Sequence, residues 1–250
     1  MTWSLLARDS ATGLLGIAIA SRFFAVGSLC PHAAAGVGAA STQALMNPLL
    51  GPLALDAMRA GEAPEAACVR LVAADEGRDQ RQLHLLAADG RTGAHTGSAC
   101  VDWCGHRSAP GVSVAGNMLA GAAVVEDTLS AFVEGEDLPL VDRLLAAMAA
   151  GEAAGGDKRG RQSAAILVQG EEPYPRLSLR ADDHPDPLAE LERLHAAARE
   201  RFIPFSAAFP TSGRPHGLLD RGALDVLIER DAGKPLVPLS AVEVPEPPAS

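Results

Sequence analysis

The chain is poor in aromatic residues: two tryptophans, one tyrosine and six phenylalanines among 250 residues. No stripe alternates basic and aromatic side chains, so platforms for stacked bases are missing. Positive charge is also short. Lys and Arg total 21 against 31 Asp and Glu, a formal net charge of −10, which disfavours a general polyanion partner. Nucleic acid is therefore not an expected ligand. No apolar run reaches the length of a membrane span, and the first residues lack the basic and apolar segments of a secretory signal. The expectation is a cytoplasmic protein with no membrane partner. Cysteine is confined to Cys30, Cys68, Cys100 and Cys104, as suits a reducing compartment. Cys100, Cys104 and His106 make a poor metal set, because structural zinc sites need four ligands at tighter spacing. The seven histidines are scattered singly, and neither a metal nor a cofactor is expected.

Several nucleotide and nucleophile motifs are missing as well. Gly156-Asp157-Lys158-Arg159-Gly160 lacks the Gly-Lys-Ser/Thr ending of a P-loop. Gly36 and Gly38 do not extend to a dinucleotide fingerprint. In Gly111-Val112-Ser113-Val114-Ala115-Gly116 the second glycine comes one residue too late for a nucleophile elbow.

What is present is an ordinary globular balance, 48% hydrophobic and 21% charged, in a chain long enough for one large domain or two small ones. Leu5 to Arg8 and Leu14 to Ser21 read as strands joined by the turn residues Asp9 to Gly13, which predicts a hairpin. The second strand is apolar throughout and should be buried on both faces. Gly36 to Gln43 reads as a further strand, followed by helices over Pro48–Ala60 and Pro64–Ala74. Arg81 to Ala88 and Arg91 to Thr96 form strands about the Asp89-Gly90 turn, and Val112 to Met118 is another. Helical spacing returns at Ala122 to Val133 and at Leu138, Val141, Leu144, Leu145 and Met148, a core-facing stripe. Strands over Ser163–Val168 and Leu177–Arg180 precede a helix over Pro187–Arg201. Helices thus come in pairs between runs of antiparallel strands, unlike the alternation of a doubly wound sheet. The predicted architecture is α+β, a four-layer αββα sandwich of two antiparallel sheets. It should span residues 1–202. Residues 203–250 hold eight of the 18 prolines and read as an accessory tail with one short helix near 218–229 and an extended or disordered end.

Chemistry concentrates at the start of the chain. Methionine before a residue as small as Thr2 is ordinarily removed, which would leave Thr2 with an α-amine beside its hydroxyl, a nucleophile and base in one residue. An α-amine titrates near 7.7–8.0, so a useful fraction is neutral near pH 7. The hairpin returns Ser21 and Arg22 to Thr2. Arg22 could clamp a carboxylate or be a surface arginine at a strand end. His95 could line a pocket or be a satisfied structural histidine. Asn117 follows a strand and a glycine and could donate into an oxyanion hole or support a turn. The segment from Gly155 to Ser163 combines glycines with Lys158, Arg159, Arg161 and Asp157; it could cradle an anion, with Asp157 steadying Thr2, or serve as a solvated connector.

Thr2-Trp3-Ser4, Ala20-Ser21-Arg22, Pro31-His32-Ala33, Gly36-Val37-Gly38-Ala39, Thr42-Gln43-Ala44, His95-Thr96-Gly97, Gly116-Asn117-Met118-Leu119, Arg159 to Ala164 and Asp182-Asp183-His184-Pro185 together resemble a bacterial and archaeal family. It is the domain of unknown function 1028, regarded as similar to the N-terminal-nucleophile (Ntn) hydrolases. The likeness runs from residue 2 to about residue 200. It implies the αββα fold, with Thr2 at the nucleophile position of the first strand. Ser21-Arg22 and Asp157 to Ser163 occupy places where the Ntn template carries polar groups. The template's third-strand lysine is replaced here by Thr42 and Gln43, so the charge arrangement must differ. The expected activity is hydrolysis of a C–N amide bond in a small or peptide-like substrate. Thr2, Asn117 and Asp157 would be catalytic, and Ser21, Arg22, His32, Gln43, His95 and Arg161 would contact substrate. The alternative is a non-catalytic binding module for a small anionic metabolite. A homo-oligomer is compatible with either.

Overall fold

Strand β1 (Thr2–Arg8) carries no side chain exposed to solvent, because it is the centre of everything else. Its alternation explains why. Trp3, Leu5 and Ala7 join the large core beneath the helices, whereas Leu6 packs in a separate cluster with Leu15, Ile17, Ala39 and Leu86. One strand therefore feeds two apolar layers, as period-two geometry requires. The computed structural model describes residues 2–245.

The turn after β1 is set by Asp9. Its backbone N–H donates to the Leu14 carbonyl at 2.9 Å and its carbonyl accepts from Gly13 N–H at 2.8 Å, while its carboxylate accepts from the Thr12 hydroxyl. Strand β2 (Leu15–Ser21) then pairs antiparallel with β1. Strands β3 (Pro31–Ala34) and β4 (Gly38–Ala44) follow, then helices α1 (Leu50–Arg59) and α2 (Pro64–Ala73). Strands β5 (Arg81–Ala87), β6 (Thr92–Thr96), β7 (Gly105–Ala109) and β8 (Val112–Asn117) lead to helices α3 (Ala123–Glu134) and α4 (Leu140–Ala153). Strands β9 (Ser163–Gln169) and β10 (Pro175–Ala181) precede α5 (Pro187–Ala197), α6 (Ile203–Ser206) and α7 (Arg221–Asp231).

The strands form two sheets, ordered β10-β9-β2-β1-β8-β7 and β3-β4-β5-β6, with antiparallel pairing throughout. Helices α1 and α2 cover the smaller sheet through Leu50, Leu55, Leu71 and Val72 against Leu83 and Leu85. Helices α3, α4 and α5 cover the larger one through Val124, Leu144, Met148 and Leu191. The result is the predicted αββα sandwich. No helix among the described residues is long and apolar enough to cross a membrane.

Two edge strands, β3 and β7, lie outside the sequence reading. Both are only partly buried, so neither carries the apolar alternation by which a half-buried strand is recognised. The helix expected to reach Arg201 instead ends at Ala197 and runs through a π-helical turn, Ala198–Phe202, into α6. Beyond it the chain stays packed. Ile203 and Leu236 enter the main core, Ala207, Ala208 and Leu227 form a small core of their own, and the expected short helix is α7. Of the end expected to be extended or disordered, residues 246–250 lie outside the described residues.

Candidate functional site

The space between the two sheets changes character along its length. At one end it is the apolar cluster of Leu6, Leu15, Ile17, Ala39 and Leu86. At the end where β1 begins it is polar. Period-two spacing puts Thr2 and Ser4 of β1, Ser41 and Gln43 of β4, Gln82 and His84 of β5, and Ser113 and Asn117 of β8 into this layer, all of them buried. The strand registers align them: Thr2 lies opposite Asn117, Gln43 opposite Gln82 and Ser41 opposite His84.

Thr2 Oγ1 donates to Ser21 Oγ at 3.2 Å, the proximity that the β1–β2 hairpin predicts. The Thr2 carbonyl lies 3.3 Å from Asn117 Nδ2 and 3.5 Å from Gln43 Nε2. The same two amides meet on Gln82, whose Oε1 accepts from Asn117 at 3.0 Å and from Gln43 at 2.7 Å. Gln82 Nε2 in turn reaches the carbonyls of Gly116 at 2.8 Å and Gly105 at 3.1 Å and the Thr96 hydroxyl at 2.9 Å. With both contacts of the Asn117 amide nitrogen made inside the protein, its side chain holds the Thr2 backbone rather than facing outward as a donor.

These contacts fix proton positions by elimination. Gln43 Nε2 must donate to Gln82 Oε1 and to the Ala115 carbonyl at 3.1 Å, so Gln43 Oε1 accepts, and it does so from Ser4 Oγ at 2.7 Å. A hydroxyl has one proton. Ser4 therefore accepts from His84 Nε2, 2.7 Å away, and in a neutral ring His84 Nδ1 then accepts from Ser113 Oγ at 3.0 Å. The imidazole is neutral. Burial lowers its pKa to about 3, aided by the charge of His106. Buried polar groups cost little only when each has a partner, and this array satisfies that condition over four strands.

Asp157 sits beside the array, paired through Leu119 in an isolated bridge. Its buried carboxylate accepts from Arg22 N–H at 2.7 Å and from Arg159 N–H at 2.8 Å, and meets the Arg159 guanidinium at 3.1 Å. Arg22 Nη1 donates to the Arg159 carbonyl at 2.7 Å. Asp157 thus ties the end of β2 to the segment before β9 and holds Arg22 one residue from Ser21. Arg22, Phe23 and Phe24 are exposed at this end of the sandwich.

The structure brings together Thr2, Ser21, Gln43 and Asn117, with Asp157 and Arg22 adjoining. Three other predicted residues are engaged elsewhere. Arg161 pairs with Glu152 at 2.5 Å and Asp186 at 2.9 Å. His32, on β3, lies 3.0 Å from the Leu29 carbonyl, and burial lowers its pKa. His95, on β6, lies 2.9 Å from the Arg78 carbonyl. Sequence reading passed over Ser4, Ser41, Gln82, His84 and Ser113. Their signal was polar residues at alternate positions inside strands, visible in Thr2/Ser4, Ser41/Gln43 and Gln82/His84. Among the described residues no group of three or more His, Cys, Asp or Glu side chains could hold a metal ion.

The chain's likeness to known proteins identifies its family. A family model described as "Family of unknown function (DUF1028)" matches residues 2–191, and the chain belongs to that family. A crystal structure of a Silicibacter pomeroyi protein from the same family is 34% identical. The match covers 88% of this chain and 96% of that one, with a TM-score of 0.82. The Anbu (ancestral beta-subunit) protein of Yersinia bercovieri aligns over 84% of this chain and 98% of its own at 12% identity. Its TM-score of 0.36 is too low to carry an argument. No curated protein matches the chain.

Proposed function

We propose that the protein is a cytoplasmic N-terminal-nucleophile amidohydrolase, with Thr2 as nucleophile once Met1 is removed and a small or peptide-like amide as substrate. One observation carries the reading: Thr2 stands at the start of the central strand with its hydroxyl 3.2 Å from Ser21 Oγ and its carbonyl 3.3 Å from Asn117 Nδ2. A nucleophile must be held still, and fixing it on a rigid strand lowers the entropic part of the barrier.

In this mechanism the neutral Thr2 amine takes the Oγ1 proton as Oγ1 attacks the amide carbon. The tetrahedral intermediate collapses by breaking the C–N bond, and the ammonium returns its proton to the departing amine. An ester on Thr2 remains. Water, deprotonated by the same amine, attacks that ester, releases the acid and restores the hydroxyl. Asn117, predicted as an oxyanion donor, acts instead with Gln43 as a clamp on the Thr2 carbonyl, which leaves the oxyanion to backbone N–H groups. Ser21 orients Oγ1, and Asp157 positions Arg22. The exposed Arg22, Phe23 and Phe24 suit a substrate with a carboxylate beside an apolar group. The test combines intact-mass measurement with hydrolysis of a panel of N-acyl amino acids. Retained Met1 in active protein, or undiminished hydrolysis by Thr2→Ala, would sink the mechanism.

The exposure of Arg22 beside the Gly155–Ser163 segment favours a second reading, a non-catalytic module that binds a small anion. Calorimetry with a dicarboxylate separates the two. The binding reading requires affinity to fall in Arg22→Ala and to persist in Thr2→Ala.

A further inference from the structure

A second site lies far from this chemistry, where the chain after residue 202 folds over β10. Arg176 is 2% exposed and has no carboxylate within ion-pair distance among the described residues. Two features of the local chain put it there. The β9–β10 register shifts between Pro175 and Leu177, so Arg176 falls at a bulge, a device that re-aims a side chain. Gly170 lies against it; a Cβ there would come within 2.7 Å of Arg176 Cγ. The guanidinium donates to Ser206 Oγ at 2.6 Å and, through Nε and Nη2, to the Val237 carbonyl at 3.3 and 3.1 Å. Those three bonds leave two of its five N–H groups without a partner, and Glu171 acts on its charge only from beyond ion-pair distance. An uncompensated buried charge is costly, and chains retain one where something compensates it.

Arg176 lines a cleft of about 370 Å³, within the usual range for small-ligand sites. Arg230 and Lys234 also line it, and share Asp231 at 2.6 and 2.7 Å. Asp231 is held at a pKa of about 2 by hydrogen bonds from Arg230 and Lys234, against the opposing effect of burial. Of the residues lining the cleft, three are cations and two, Asp231 and Glu243, are carboxylates; Glu171, which acts on Arg176 from outside that lining, is engaged by the Ser240 hydroxyl. The remaining wall is apolar: Ile203, Pro204, Ala207, Pro235 and Val242. We infer that this cleft binds a small amphiphilic carboxylate, its head group toward Arg176 and Lys234 and its aliphatic body against Ile203, Pro204 and Val242.

The inference is independent of Thr2 chemistry, and the test keeps them apart. Octanoate, 1-octanol and acetate are titrated into the full-length protein by calorimetry, with thermal unfolding as a second readout. Octanoate is expected to bind saturably at one site and raise the melting temperature, and neither control to match it. Lys234→Gln, at an exposed position, is expected to weaken octanoate several-fold. Arg176→Met, which swaps the buried cation for an apolar chain, is expected to abolish the octanoate effect. Thr2→Ala is expected to leave it unchanged. Equal binding of octanol and octanoate, no saturable octanoate binding, or full octanoate binding by Lys234→Gln would overturn the assignment. Should Arg176→Met not fold, the Lys234→Gln and octanol arms decide the matter.

Discussion

His84 makes stability depend on pH in a way that can be calculated. It is wholly buried between the sheets, and burial lowers its pKa from 6.5 to about 3. The folded protein therefore holds the ring neutral, while the unfolded chain binds a proton below about pH 6.5. Between those two values the unfolded state carries more protons, so stability rises with pH. The contribution is complete above about pH 6.5 and is lost as pH falls toward 3. At roughly 1.36 kcal/mol per pH unit, the full effect is about 5 kcal/mol, and the part lost between pH 7 and pH 5 is about 2 kcal/mol. A quantity of that size is a large fraction of the stability of an ordinary domain. Other histidines add to the slope, since partial burial also lowers the pKa of His32 and His106, and burial that of His195. A difference measurement removes what they share. His84→Gln keeps a donor and an acceptor in the same layer but cannot titrate. Urea unfolding followed by circular dichroism at pH 7 and pH 5 should show the wild type losing about 2 kcal/mol more than the variant. Equal losses in the two proteins would refute the argument that a neutral, locked imidazole sits between Ser4 and Ser113.

Asp157→Asn keeps the shape of the side chain but replaces one acceptor of the two N–H bonds that its buried carboxylate takes from Arg22 and Arg159 with a donor. Discounting the half-exposed Arg159 guanidinium, the expected loss is about 2 kcal/mol, read as a shift of the urea midpoint at constant slope. Gly51→Ala would set a methyl group 2.1 Å from the His32 ring, so the ring must leave its place against the Leu29 carbonyl. A cost of about 1–3 kcal/mol is expected by thermal unfolding, and an unchanged melting temperature would show that the α1–β3 contact is slack. Burial pushes the Cys30 and Cys68 thiols up to about 12. Iodoacetamide at pH 8 should therefore leave both unlabelled in the folded protein and label both in urea.

Much of this architecture could be read from the chain, for identifiable reasons. The β1–β2 hairpin was legible because Asp9 to Gly13 carries turn chemistry between two apolar strands, and that hairpin alone brings Ser21 to Thr2. The pairing of helices with antiparallel strands gave the αββα layers. Edge strands β3 and β7 were illegible because, with one side open, they need no apolar alternation. The polar layer was missed for a subtler reason. Ser4 alternates with Thr2, and Gln82 with His84, but only the register between strands reveals that the polar positions of different strands face one another. Local composition singles out Arg161 and Lys158 but carries no information about partners such as Glu152, Asp186 and the Asp102 carbonyl. The chain's prolines suggest a tail beyond residue 202, yet Ile203 and Leu236 are core residues. Proline content reports the loss of backbone donors, not the loss of packing.

The proposed mechanism turns on Thr2 Oγ1 as the reacting atom. It is tested most directly by treating the purified protein with a β-lactone, an electrophile opened by an activated hydroxyl, and locating the adduct by mass spectrometry of the N-terminal peptide. One acyl adduct is expected, on Thr2 of chains that have lost Met1, and none on Thr2→Ala or on protein denatured before treatment. Fully processed, folded protein without an adduct, or with its adduct on a residue other than Thr2, would contradict it.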